Sequence, residues 1–305
     1  MIDRHAPLSG RVPPPQPARV DLHTHTTRSD GVLAPATLVR DAATVGVRTL
    51  AITDHDTLAG YRELIAAGEM PAGLELLPGV EINAVGLRAA GVRADELHVL
   101  GYGMDPVDDA FEATLASQRA ARRERFHRTV DRLREAGFPI DAQVADLRVD
   151  DESALGRPTI GRALVAAGDA TSVEDAFARL IGRGGPGFVP RTGLGPIEAI
   201  DAIRAAGGLP VLAHFAEAPD QLDLVRELRD RGLGGLEVYY RTFDPPTVEA
   251  MAALADRLAL VPTGGSDYHG DLMTYAQTHA QLWVPPLVEA PLRAALADAA
   301  AGVAA

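Results

Sequence analysis

The 305-residue sequence contains no cysteine and, read through from end to end, no lysine. Without cysteine there is no disulfide, no thiolate metal ligand and no thiolate nucleophile. Without lysine, all 29 basic residues are arginine. That excludes a phosphate-loop lysine, Schiff-base chemistry and a carbamylated-lysine bridge between metal ions. Aromatics are scarce at 5%, so any core is built from the aliphatic part of a composition that is 47% hydrophobic. No apolar run is long enough to span a bilayer, and Met1 to Pro17 lacks a leader-type hydrophobic stretch. No membrane partner is expected, and the expected address is the cytoplasm. Positive charge is in deficit. A formal net charge of −13 argues against a broad grip on duplex DNA, while leaving room for a local arginine site for phosphate or a short single strand.

The length suits one large core, or one core with an insert. Residues 1–18 are rich in Pro and Arg and read as a flexible arm. From Val20 strand-like and helical stretches alternate, the pattern of a βα-repeated fold. Pro35 to Gly46 reads as a helix, Arg48 to Thr53 as a buried strand, and Leu74 to Ile82 as a strand broken at Pro78-Gly79. Glu96 to Tyr102 is a further strand. Residues 104–186 change character: a long Arg-rich helix from Ala110 to Ala136, then helical patterns near 159–168 and 172–182. The alternation resumes with a helix at Pro196 to Ala206, a strand ending in VLAHF, a helix near 219–231, the strand GLEVYY, a helix near 246–257 and LALVPTGGSDYHG. A last strand at Gln281 to Val284 and a helix at 288–300 close the chain.

The polar residues of this framework are concentrated at strand ends. In DLHTHTTRSDG, His23 and His25 are two apart after a strand start, so both imidazoles share one face. His55, His98, His214 and His269 also fall in or at the end of predicted strands, with Asp30, Glu81 and Asp267 close by. In a parallel βα barrel such ends converge on one mouth. Nine N and O donors at one mouth exceed the three protein ligands of a single catalytic zinc and suggest two or three ions sharing carboxylates.

The ordered set HTH–D, TDHD, GVE, LHVLGY, LAH and SDYH, running from about Arg19 to Pro285, resembles the PHP (polymerase and histidinol phosphatase) superfamily. Asp30 in HTTRSDG, the GGPGFVPR stretch and GGSDYHG resemble its TrpH-type phosphoesterases. The resemblance implies a distorted (β/α)7 PHP barrel, an α/β fold with residues 19–103 and 187–305 as barrel and 104–186 as a helical insert subdomain. It implies a trinuclear site: one ion on His23, His25, Glu81 and Asp267, a second on Glu81, His98 and His214, and a third on Asp30, His55 and His269. Catalysis is expected around Asp30, His55, Asp267 and His269. Mn2+ is the favoured ion, with Fe2+ or Zn2+ as alternatives. The expected nucleophile is a metal-bridging hydroxide, without a covalent enzyme intermediate. Members of that branch remove the 3′-phosphate of nucleoside 3′,5′-bisphosphates or trim 5′-phosphorylated RNA from its 5′ end. The partner implied is therefore a small phosphorylated substrate. Histidinol-phosphate phosphatase, a non-catalytic PHP binding module and a C–N amidohydrolase are the alternatives.

Such a substrate needs cations beyond the metals, and the arginine fork suits phosphate. Arg157, Arg191 and Arg241 are the candidates. Arg157 opens RPTIGRAL, which resembles a family motif with His where this chain has Thr159. Arg119, Arg122, Arg123, Arg125 and Arg128 read as a solvated helix face beside an apolar seam of Phe126, Val130 and Leu133. Asp54 and Asp56 are candidates to orient His55, and Asn83 is a weaker one. Tyr239, Tyr240 and Tyr268 are candidates to stack on a base. His5, His127 and His279 are left as ordinary residues.

Overall fold

The computed structural model describes residues 17–68, 70–86, 96–145, 154–270 and 272–303. The expected N-terminal arm lies almost wholly outside them. Seven strands form one sheet in sequence order: β1 (Val20–Asp21), β2 (Thr49–Ile52), β3 (Glu75–Val85), β4 (Glu96–Tyr102), β5 (Leu209–Leu212), β6 (Gly235–Tyr240) and β7 (Val261–Gly265). The ring is nearly closed, because the Leu22 amide donates to Gly264 O (3.2 Å) and the His25 amide to Tyr268 O (3.0 Å). Helices α1 (Pro35–Thr44) and α2 (Ala59–Ala67) follow β1 and β2. The fold is the expected seven-stranded α/β barrel.

Two departures from the sequence reading matter for the site. First, Pro78 and Gly79 do not break β3; they mark a change of partner. Residues up to Pro78 pair with β2 in parallel, and residues from Gly79 pair with β4 antiparallel. Proline has no N–H to offer a ladder. A Cβ at Gly79 would sit 2.7 Å from Ile52 O, so only glycine lets the backbones pass. Because β4 runs backwards, its N-terminal half reaches the mouth, which is why His98 lies early in its strand and opposite Asn83.

Second, Gln281 to Val284 is not a strand. Leu282 and Val284 are buried in alternation, as an edge strand would bury them. With β7 already bonded to the segment after β1, no free edge remains there for them to pair with.

Between β4 and β5 the described elements are helical: α3 (Asp109–Glu135), α4 (Asp141–Val144), α5 (Arg157–Ala167), α6 (Val173–Ala176) with a wide turn at Phe177–Ile181, and α7 (Pro196–Ala205). The 27-residue α3 is capped by Asp108, which accepts from the Phe111 amide at 2.7 Å, and it ends on Arg132 and Arg134, favourable charge at both dipole ends. Phe126, Val130 and Leu133 pack with Ile140, Ile160, Leu164, Leu180 and Ile181 in an apolar cluster of their own. The larger core lies inside and around the barrel, where α7, α8 (Leu222–Asp230) and α9 (Pro245–Leu258) contribute Ile200, Val225 and Met251. Helices α10 (Tyr275–His279) and α11 (Glu289–Val303) complete the chain. Among the described residues, no helix is long and apolar enough to cross a membrane.

Candidate active site

All nine donors expected from the sequence meet at one end of the barrel. His23 and His25 follow β1, His55 follows β2, Glu81 lies in β3, His98 in β4, His214 follows β5, and Asp267 and His269 follow β7. His214 (φ 28°) and Asp267 (φ 49°) hold left-handed backbones, a strained conformation for residues with side chains. Asp30 arrives on a loop held by Asp54, whose carboxylate accepts from the Thr26 amide, Thr26 Oγ1 and Ser29 Oγ, each at 2.7 Å. Helix α5 closes over that loop. Arg162 donates to Asp30 O at 2.9 Å, and Gly156 lies so close to Asp30 Oδ2 that a Cβ would collide with it.

The distances fit a metal cage. Nε2 of His23 lies 3.4 Å from Glu81 Oε2 and 3.3 Å from Asp267 Oδ1, and Nε2 of His25 lies 3.3 Å from each. An ion bound by four tetrahedral donors at about 2.1 Å spaces them roughly 3.4 Å apart. The other carboxylate oxygen of Glu81 faces His98 Nδ1 (2.6 Å) and His214 Nε2 (3.1 Å). Asp30 faces His269 Nε2 (3.2 Å) and His55 Nε2 (3.5 Å). Among the described residues, His23 Nε2, both ring nitrogens of His25, both Asp30 oxygens and His55 Nδ1 are buried without a hydrogen-bond partner. Buried polar atoms left unpaired cost free energy. Here they converge in groups that fit divalent ions.

The protonation states agree with that reading. Burial pushes the carboxyls of Asp30, Glu81 and Asp267 up, but the surrounding imidazoles outweigh it and hold all three well below the usual range. Burial brings His55 down to about 4, so its ring is neutral and able to ligate. For His269 burial is outweighed by Asp30 and Asp267, which push it up to about 10. Its proton stands where an ion would replace it.

Around the donors lie residues that the sequence reading placed elsewhere or missed. Asp56 and Asp54 do not orient His55. Asp54 pins the 26–30 loop, and Asp56 pairs with Arg122 and, at 3.0 Å, with Arg191. Asn83 does meet a donor, bonding His98 Nε2 and receiving Arg122. Glu237, not foreseen, accepts from His23 Nδ1 (3.0 Å) and from the His214 amide (2.8 Å). Tyr240 donates to Asp267 Oδ2 at 2.8 Å, while Tyr239 and Tyr268 are buried against Trp283 and Tyr275 and cannot stack on a base.

The long helix is the largest correction. Arg119, Arg122 and Arg125 are buried, not solvated. They stand one turn apart and continue the stripe of Phe126, Val130 and Leu133, a periodicity that would have revealed them. Arg122 and Arg125 join Arg157 and Arg191 in a cavity of about 280 Å³ that opens onto seven of the nine donors. Arg241 is not there; it lines a neighbouring cavity and donates to Ser266 O at 2.9 Å. Thr159 lines neither cavity.

The comparison with known proteins follows the same lines. Residues 21–142 match the PHP domain model. The 5′-3′ exoribonuclease Rnm of Salmonella typhimurium is 35% identical over 280 residues, which cover 88% of this chain and 91% of that protein. The chain belongs to the PHP domain family. As a PHP protein it is a metal-dependent phosphoric ester hydrolase. A 3′,5′-nucleoside bisphosphate phosphatase of Chromobacterium violaceum is 32% identical over 260 residues, covering 83% of this PHP chain and 87% of the relative. A Bifidobacterium adolescentis crystal structure assigned as a metal-dependent phosphoesterase superposes with a TM-score of 0.72 at 37% identity, covering 85% of this chain and 90% of that one.

Proposed function

We propose that this protein hydrolyses the 3′-phosphate ester of nucleotides that also carry a 5′-phosphate. Nucleoside 3′,5′-bisphosphates and the 5′ end of short 5′-phosphorylated RNA are the substrates. The observation that carries the reading is the arginine wall facing the donors. Arg122, Arg125, Arg157 and Arg191 bring four positive charges, and among the described residues outside the donor cluster Asp56 and Glu96 are the two carboxylates that pair with them. The surplus of two charges, four minus two, matches a phosphate dianion. Names borne by relatives, an exoribonuclease and a bisphosphate phosphatase, support the same class.

In this reading His23, His25, Asp30, His55, Glu81, His98, His214, Asp267 and His269 hold two or three divalent ions, with Mn2+ favoured. When bound, such ions neutralise phosphate oxygens, make water more acidic and stabilise the leaving oxygen. The rest falls to the chain. Glu237 holds the His23 ring by Nδ1 and so presents Nε2 to the cluster. Tyr240 holds Asp267, and Asp54 holds the loop that carries Asp30. The arginine wall fixes the 5′-phosphate, while Phe126 and Phe177 offer apolar surface for the nucleoside. Histidinol phosphate fits less well, because its ammonium group would face four guanidinium groups.

The test is phosphate release by Mn-loaded protein from adenosine 3′,5′-bisphosphate, 3′-AMP and histidinol phosphate in parallel. One phosphate held by charge-assisted bonds contributes about 1.5–3 kcal/mol, so the bisphosphate should exceed 3′-AMP by about tenfold or more in kcat/KM. Arg157→Ala should erase most of that preference. Equal rates on the two nucleotides, or a preference for histidinol phosphate, would overturn the proposal.

A further inference from the structure

A second cavity, of about 630 Å³, also reaches the donor cluster, and nothing in the reading above uses it. It shares Pro158, Asp267 and His269 with the arginine cavity, so the two spaces meet at the reacting centre from different sides. A phosphomonoester has one organic group joined to its phosphorus through oxygen and needs one such space. A phosphodiester has two substituents and needs both. The walls also differ in kind. Arg162 and Arg241 line it together with Glu174. The remaining wall is largely apolar, with Val165, Ala166 and Met273, and with Leu272 left 77% exposed at the rim. Cations for a backbone phosphate beside apolar surface suit a single strand held without base readout.

We infer that this groove receives the nucleotide joined through its 5′ oxygen to the scissile phosphorus, the downstream part of a single-stranded oligonucleotide. The inference rests on the phosphoesterase reading above and says which part of the molecule separates its two substrates. The bond broken is the same in both. Water oxygen forms a new bond to phosphorus, the bond from phosphorus to the 3′ oxygen breaks, and that oxygen takes up a proton while the attacking water gives one up. With a bisphosphate the phosphoryl group leaves as inorganic phosphate. With an oligonucleotide it remains on the 5′ oxygen of the downstream chain, which must then have somewhere to lie.

Ala166 is exposed near the C-terminal end of α5, at the opposite end of that helix from Arg157, and lines the second cavity but not the first, so Ala166→Glu places negative charge in the groove without disturbing packing. Two measurements test the inference. In Mn-loaded protein, kcat/KM is compared for adenosine 3′,5′-bisphosphate and a 5′-phosphorylated hexaadenylate. In metal-free protein, where turnover does not intervene, binding of the same hexamer carrying a 3′ fluorophore is read by anisotropy. The variant should lose about tenfold in hexamer kcat/KM and in hexamer affinity, and stay within about twofold on the bisphosphate. Leu272→Glu, on a separate segment lining the same cavity, should do the same. Unchanged hexamer cleavage and binding in both variants, or a parallel loss on both substrates, would overturn the groove assignment while leaving the phosphoesterase reading intact. A wild-type protein inactive on both substrates would overturn that reading, and this inference with it.

Discussion

His23 Nδ1 lies 3.0 Å from Glu237 Oε1, with both side chains fully buried, so one carboxylate fixes which ring nitrogen of His23 faces the donor cluster. The second oxygen of Glu237 accepts from the His214 amide, so the same residue braces two donors on different strands. Losing an outer partner of this kind costs about 10–100-fold in metal affinity. Glu237→Ala should therefore weaken Mn binding by that factor, measured by calorimetry, while far-UV circular dichroism shows a folded barrel.

The donor cluster itself makes a stronger demand. Asp267→Ala and His25→Ala should each bring phosphate release down to background and leave the protein folded, since each removes a member of the four-atom cage at 3.3–3.4 Å. Near-wild-type turnover in either variant would end the assignment of the site.

Chelation should destabilise the protein as well as silence it. Six buried ligand-type atoms go without hydrogen-bond partners among the described residues, and an ion that binds only the folded chain stabilises it by about 2.7 kcal/mol at 100 times its dissociation constant. Tm should rise with added Mn in the wild type and respond less in Asp267→Ala.

Gly156 is a matter of space, not backbone freedom. Its φ of −112° is open to any residue, but a Cβ there would collide with Asp30 Oδ2. Gly156→Ala should push Asp30 or the start of α5 aside. A misplacement of about 1 Å costs on the order of 10²-fold in kcat. The variant should keep its cooperative unfolding transition.

Glu96 supplies a pH dependence. Burial would raise its carboxyl, but Arg157 and then Arg125 outweigh burial and bring it from 4.5 down to about 2. A carboxyl depressed on folding stabilises the native state above its unfolded value, and that stabilisation fades as pH falls through the folded value. Glu96→Gln should thus be less stable than wild type at pH 7, by on the order of 3 kcal/mol at most. Urea titrations should show the gap narrowing between pH 4.5 and 2.

How much of this could be read from the chain depended on how local each signal is. The nine candidate donors could be picked out because all but Asp30, which lies on a loop, fall in a strand or just past its end, where backbone geometry decides which way a side chain points. The strand Glu96 to Tyr102 was legible to the residue, although its reversed direction was not. Gln281 to Val284 looked like a strand because Leu282 and Val284 alternate with polar neighbours, yet pairing requires a free edge, and the chain had already closed the ring elsewhere. Arg122 and Arg125 looked solvated because arginine usually is; the same 3.6-residue stripe that buries Phe126 buries them too, against Asp56 from the turn after β2 and Glu96 from β4.

By itself, then, the sequence determined which nine side chains were candidates as donors, the α/β alternation and the exclusion of thiol and lysine chemistry, since these follow from residue type and short-range spacing. The tertiary structure alone decided that four arginines on three separate segments share one cavity, that Arg241 lies in another, and that Glu237 reaches His23 across 214 residues. Those relationships depend on which charged groups the fold removes from water together, and a buried charge is retained only beside a partner that the chain supplies from far away.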